Sequence, residues 1–239
     1  MYKSSTLVIW SGPSLWDSQP IVVLASGFQR PSMNRKTGFM IQTYILRQEG
    51  SPISNIQSGA DSSICGDCPL RKRVCYVDPR ASNNLWRMWE RGDLDTWKNT
   101  TLPFPLRLGA YGDPAMVPLS AWLPLINKAP GWTGYTHRWR DCDPEWRNYL
   151  HASVESYEDL KLAHSMGWAT YRVAIDGELP IRGEQACLYS VNETQCSACL
   201  KCNGNTGKNI VIPVHGVAHK IQVFNKLKTL VSKPYLTQD

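Results

Sequence analysis

No apolar run in this 239-residue chain approaches the roughly 18 residues that a membrane helix needs. The opening stretch, Met1 to Trp16, carries an apolar segment too short for a secretory signal and interrupted by Trp10, Gly12 and Pro13. Glycine and proline, at 17 and 16, stay near average use, which excludes collagen-like and low-complexity chains. Internal repeats and linker-like segments are also missing, so a single domain over residues 1–239 is expected. Charged residues make up 19% against 42% hydrophobic, a balance that fills a core and excludes a disordered tail. Neither sign of charge dominates: 26 lysines and arginines face 20 acids, a net +6. That excess permits contact with nucleic acid without requiring it. A soluble, intracellular protein without a membrane partner is the expectation.

Tryptophan, by contrast, is plentiful, with ten in the chain. Trp86, Trp89, Trp97, Trp139 and Trp146 stand near charged residues, a setting that suits either base stacking or a lid over a core. Packing is the expected role, because tryptophan is usually largely buried.

Eight cysteines fall into two groups and a remainder. Cys65, Cys68 and Cys75 form a C-x2-C-x6-C segment. Cys187, Cys196, Cys199 and Cys202 form C-x8-C-x2-C-x2-C within a segment of about residues 184–205. A chain of this length without a signal peptide does not need disulfides, and clustered spacing of this kind points to metal. A C-x2-C turn converges two thiolates on one centre, and four cysteines hold either zinc or an iron–sulfur cluster. Zinc sites typically pair two separate C-x2-C knuckles. Here Cys199 belongs to both turns, as in ferredoxin loops that wrap a four-iron cube. A 4Fe-4S cluster is the expectation there, with zinc as the alternative metal.

The first group offers only three local cysteines, which leaves either an open metal position or a fourth ligand from elsewhere. Cys142 is the one cysteine left over, but Asp141 and Asp143 flank it and oppose a thiolate, so it reads as a bystander. The distinction bears on function, because closed sites are structural and open ones do chemistry.

Apolar and β-branched runs suggest strands at 5–10, 38–47, 105–111, 132–137, 149–154, 168–175 and 209–214. Helical spacing occupies 84–98 around Gly92, 119–128 despite Pro124, and briefly 144–149. A further helix runs from Tyr157, with Ser156 as N-cap and Gly167 at the C′ position. Strands alternating with helices of this length imply βαβ units and a parallel sheet, with functional residues at the C-terminal strand ends. By that rule Asp113, His137 with Arg138, Ser153 with Glu155, Asp176, and His215 with Gly216 share one rim with both cysteine loops. Taken singly, Asp113 in Gly-Asp-Pro is a turn former and a lone histidine is structural.

The stretches CGDCPLRKRVCY, LRLGAYGDPAMVP, WTGYTHRW, HASVESYEDLKLAHSMGWATYRV and the closing C-x2-C-x2-C followed by NIVIPVHG resemble an uncharacterised family of tailed-phage proteins, over about residues 5–220. That resemblance implies a setting, the host cell cytoplasm, rather than an activity. The chain also resembles radical S-adenosylmethionine enzymes, in which a partial (β/α) barrel carries a three-cysteine loop after its first strand. Here the loop follows the strand at 38–47, and an aromatic residue, Tyr76, follows Cys75. Gly112-Asp113-Pro114 stands where that family has a Gly-Gly-Glu-Pro-like turn holding the cofactor's amino group. The last four cysteines would correspond to an auxiliary cluster. The family's loop reads C-x3-C-x2-C, a different spacing from the one present.

The resemblance and the strand pattern together lead to an α/β fold: a partial (β/α) barrel with mostly parallel strands and cysteine-rich metal-binding loops. They imply an open iron at Cys65, Cys68 and Cys75, and S-adenosylmethionine held by Gly112, Asp113, His137 and Ser153. Two functions stay open. One is a phage-encoded iron–sulfur enzyme of radical S-adenosylmethionine type, its substrate unassigned. The other is a metal-stabilised protein without catalysis that binds nucleic acid or a host protein. Its phosphate contacts would be Arg71-Lys72-Arg73 and the lysine-rich tail beyond His215, although a charge run in a loop is commonly just solvated.

Overall fold

Continuous runs of Val, Ile and Leu form buried strands, and the polar punctuation between them forms helix caps. The computed structural model describes residues 4–30, 32–72, 74–175, 177–204 and 207–231, with side chains to residue 228. Strands β1 (Thr6–Pro13), β2 (Pro20–Ser26) and β3 (Ile41–Arg47) make an antiparallel meander. The sequence PIVVLAS of β2 is apolar at successive positions because both its faces are covered, so it lacks the alternation of a half-exposed strand.

Helix α1 (Pro52–Ser58) is capped by the Ser51 side chain, which accepts from the Ser54 N–H, and α2 (Ser62–Cys65) opens the first cysteine segment. Helix α3 (Pro79–Glu90) has Asp78 as N-cap and Pro79 at its first position, where a missing N–H loses no bond. The helical pattern expected to run to 98 stops at Glu90. Gly92 adopts φ +72°, and Asp95–Thr96 instead forms a short strand, β4, against β1.

From β5 (Leu106–Tyr111) onward the chain alternates. Helix α4 (Leu119–Ile126), β6 (Trp132–Thr136), β7 (His151–Val154), α5 (Tyr157–Ser165) and β8 (Thr170–Ala174) follow in order. Short 3₁₀ turns at Pro114–Met116 and Pro144–Asn148 fill two of the connections. Then come β9 (Glu184–Ala186), α6 (Leu188–Asn192), α7 (Cys196–Cys199), β10 (Asn209–Pro213) and α8 (Ala218–Val231).

All ten strands join one open mixed sheet in the order β4-β1-β2-β3-β5-β6-β7-β8-β10-β9. Pairings β1–β2 and β2–β3 are antiparallel and the remainder parallel. Strands β3, β5, β6, β7, β8 and β10 stand side by side in chain order, the arrangement that successive crossovers in one direction produce. Among the described residues no helix is long and apolar enough to cross a membrane.

The larger core packs Ile21, Leu24, Ile45, Leu106, Leu125 and Leu150 around Trp122, Trp139 and Trp146. Each fully buried aliphatic side chain of this kind contributes about 1.5–3 kcal/mol. The tryptophans near charged residues pack as expected: Trp86, Trp139 and Trp146 are buried, and Trp89 and Trp97 rest half-buried against the same core. Trp139 also donates its indole N–H to the Ser153 carbonyl at 3.0 Å, which satisfies its one polar atom.

Candidate metal and cofactor site

Side chains alternate across a strand, so Arg107 and Tyr111 of β5 and Thr133 and Tyr135 of β6 share a face with His137, Ser153, Tyr171 and Val173. That face lines a run of cavities. At the C-terminal ends of the strands, Cys65, Cys68 and Cys75 border a cavity of about 120 Å³ together with Gly112, Asp113, His137 and Ser153. The same three cysteines border a neighbouring cavity of about 170 Å³ that also meets Asp61, Arg71 and Tyr111. Sequence reasoning thus placed these seven residues in one neighbourhood, and the fold brings them there.

Local chemistry fixes the first cysteine segment to the strand ends. Asp113 N–H donates to the Ile64 carbonyl at 2.7 Å. Gly112 allows that approach: its φ is +79°, and a Cβ there would stand 2.8 Å from Ile45 Cβ. Ser14 donates to the Ser63 carbonyl at 2.6 Å, and Arg47 donates to the Ser63 hydroxyl at 2.6 Å. Within the segment, Cys68 N–H donates to the Cys65 carbonyl at 3.2 Å and Arg71 donates to the Gly66 carbonyl at 2.8 Å.

Asp113 performs the turn-forming role expected of Gly-Asp-Pro. Its Oδ1 accepts from Ala115 N–H at 3.0 Å and its Oδ2 from His137 N–H at 2.7 Å. Burial pushes its carboxyl above the ordinary range, against the pull of His137 and these donors. His137 Nε2 lies 2.8 Å from Glu155 Oε1. Burial pulls the imidazole down, but Glu155 and then Cys68 outweigh it and raise it well above its usual value, while His137 draws the Glu155 carboxyl down despite burial. The pair stands as imidazolium on carboxylate.

The cysteines carry the opposite stress. Burial raises Cys65 well above a normal thiol, with Cys68, Cys75 and then Asp61 and Asp113 adding to it. Cys75 is also raised, chiefly by burial. Buried thiols crowded beside carboxylates become thiolates only if a strong positive charge arrives, which is what a metal ion or cluster brings. Among the described residues two buried polar atoms at this wall, Tyr111 Oη and Asp61 Oδ1, make no hydrogen bond, and Arg71 Nε is 3.7 Å from that Asp61 oxygen. A donor set of three thiols with orphaned polar atoms beside it fits a bound group. Among the described residues, no three His, Cys, Asp or Glu side chains already stand in metal-holding geometry. Cys142 lines none of these cavities; it packs against the core, and burial followed by Asp113 pushes its thiol to about 12.

The second group occupies a different place from the one expected. Cys187, Cys196, Cys199 and Cys202 border a cavity of about 20 Å³ with Thr133 and Ile210, near the start of β6 and β10. Cys196 N–H donates to the Lys36 carbonyl at 3.0 Å, and Ser197 N–H to the Thr37 carbonyl at 2.9 Å, both just ahead of β3. Gly134 N–H donates to the Cys202 carbonyl at 2.9 Å. Both cysteine loops therefore do not share the C-terminal rim: the second group packs along the N-terminal halves of the strands. Its close approach depends on Gly204, where a Cβ would lie 2.4 Å from the Asn148 carbonyl carbon. Burial raises Cys196, and burial pushes Cys202 to about 12.

Other rim residues divide. His215 lines an adjoining cavity of about 160 Å³ that shares Tyr76, Tyr135 and Tyr171 with the first. Arg138 turns away, ion-paired to Asp141 at 2.7 Å and stacked on Trp16. Asp176 and Arg73 lie outside the described residues. Sequence reasoning passed over Lys36, Arg107, Tyr135 and Tyr171. A cation inside a parallel strand, as in LRLGAY, was the available signal, because such strands are otherwise apolar. No protein-family model matches the chain, and no curated protein and no solved structure matches it.

Proposed function

We propose that the chain is an iron–sulfur protein of radical S-adenosylmethionine type, working in the host cytoplasm that the phage resemblance implies. In this reading Cys65, Cys68 and Cys75 hold a four-iron cluster with one iron left open, and Cys187, Cys196, Cys199 and Cys202 hold a closed one. A single observation carries it: three local cysteines and the strand-end residues Gly112, Asp113, His137 and Ser153 border one cavity. The unbroken order β3-β5-β6-β7-β8-β10 in an open sheet suits a partial (β/α) barrel, whose C-terminal strand ends carry the chemistry. Overlapping C-x2-C turns favour iron over zinc.

When bound, a cluster with an open iron supplies one-electron chemistry to the ligand it holds. The protein's own residues do the rest. Asp113 offers the lone pairs left after its bonds to Ala115 N–H, His137 N–H and the Thr136 side chain to an ammonium group. The His137–Glu155 pair holds a fixed positive edge beside Cys68. Tyr135, Tyr171 and Val173 exclude water from the cavity's far wall.

In the rival reading, a binding protein with closed metal sites, two of the expected phosphate contacts are already engaged. Arg71 is engaged with Gly66 and Asp61, and Lys220 donates to the Cys75 carbonyl. The test is spectroscopic. After anaerobic reconstitution, S-adenosylmethionine should perturb the electron paramagnetic resonance signal of the reduced protein. An intact cluster whose signal ignores S-adenosylmethionine would sink the enzyme reading and leave the metal reading standing.

A further inference from the structure

Lys36 and Arg107 converge on the cavity of about 160 Å³ that lies between the two cysteine groups. Among the described residues no carboxylate lines it, although Cys196 of the second cysteine group does. Arg107 projects half-buried from β5 into this space, and among the described residues its guanidinium makes no ion pair and no hydrogen bond. Half-buried and facing the cavity, the guanidinium has planar donors that an acceptor entering that space can meet. Lys36 Nζ stands 3.0 Å from His215 Nε2 and 3.4 Å from Tyr171 Oη, both neutral partners. His215 Nδ1 is 3.2 Å from the Pro213 carbonyl, so Nδ1 carries the proton and Nε2 accepts from the ammonium. Burial, with Lys36 and Arg107 adding to it, lowers this imidazole to about 4, so it brings no positive charge of its own.

We propose that Arg107 and Lys36 form an oxyanion pocket that holds the phosphate or carboxylate end of a small-molecule substrate. The walls suit the rest of such a molecule. Tyr135 and Tyr171 have ring centroids 4.1 Å apart, and Tyr76 and His215 5.0 Å apart, giving flat apolar surfaces beside the cations. Tyr76, Tyr135 and Tyr171 also border the cavity of Cys65, Cys68 and Cys75. A substrate anchored at Arg107 therefore extends its body past the tyrosines toward the first cysteine group. Arg107 suits this task because its planar fork grips two oxygens of a carboxylate or phosphate at once.

The substrate role rests on the proposed function, whereas anion binding does not, and the experiment keeps them apart. Equilibrium dialysis with inorganic phosphate and with benzoate is run on reconstituted wild type, Arg107→Gln and Lys36→Gln, with iron and sulfide measured on each. Wild type should bind one of the two probes, which also tells phosphate from carboxylate. Each variant should weaken that binding by about tenfold or more, the loss of one charge-assisted contact, with iron content unchanged. Lys36→Gln alone gives the reading if Arg107→Gln does not accumulate. Binding of neither probe, or equal binding by the variants, overturns the pocket. Loss of iron from both variants would assign these cations to the Cys196 group instead, and also overturns it. Displacement of the probe by S-adenosylmethionine would assign the pocket to that molecule's own carboxylate and overturn the substrate role. An unresponsive resonance signal with intact anion binding would remove only the enzyme reading.

Discussion

His151 sits fully buried at the start of β7, between two backbone groups that fix its tautomer. Its Nε2–H donates to the Lys208 carbonyl at 2.9 Å and its Nδ1 accepts from Gly204 N–H at 3.2 Å. Burial pushes its pKa from 6.5 to about 4, so the folded state prefers it neutral. The stabilisation is complete above the unfolded value, because neither state is then protonated. It is lost as pH falls from about 6.5 toward about 4, because the unfolded chain takes up the proton first. The loss amounts to roughly 3 kcal/mol. Urea unfolding should show wild type losing its advantage over His151→Gln between about pH 7 and pH 4. A constant gap between them would show that the imidazole does not titrate with folding. The importance of this residue could not be read from the sequence, where a lone histidine has no visible partner. Both its partners belong to the loop of the second cysteine group, more than fifty residues along the chain.

Helix α5 shows what local sequence does specify. Ser156 Oγ accepts from Asp159 N–H at 3.0 Å, Glu158 and Asp159 load the first turn, and Gly167 takes φ +81° just past the end. Every one of those features was legible, because caps act within a few residues. Ser156→Ala should therefore lower stability by about 1 kcal/mol, with cysteine-bound iron unaffected. A denaturant midpoint equal to that of wild type would mean that packing, not capping, holds this helix. Where long-range contacts decide, the pattern misleads. The helical spacing over 84–98 carries an interruption at Gly92; the helix ends before it, and β1 recruits Asp95 and Thr96 as a strand partner where further helix was expected. The strands at 106–111 and 132–136 were visible; the inward turn of Arg107 and Tyr135 was not, since alternation shows which residues share a face and not which face is the interior.

Across the whole molecule, the two cysteine groups of the sequence border two separate cavities, and the strand-end rule misplaced the second of them. Three local thiols do border one cavity at the strand ends, but the second group packs at the other end, through Lys36, Thr37 and Gly134. Strand ends can be ordered from sequence, whereas the docking of a long excursion between β8 and β10 is fixed only by tertiary contacts. Because α7 is tied to residues ahead of β3, a metal held there as proposed would connect the chain's two halves. Cys199→Ala should remove about half of the bound iron and lower the melting temperature, since such sites contribute folding energy. Cys142→Ala should leave iron content as it is, because that thiol lies against the core and lines none of the cysteine cavities. Iron loss from Cys142→Ala would identify it as the missing fourth ligand.

An open sheet always has two rims of unpaired backbone, and here they fall on β4, of 2 residues, and β9, of 3. Strands that short expose little hydrogen-bonding template to another copy of the chain. The long, apolar strands that would make strong templates, β2 and β3 among them, are enclosed by neighbours on both sides. The sheet thereby stays open with its two shortest strands outermost, β4 covering β1 only at Leu7 and Val8.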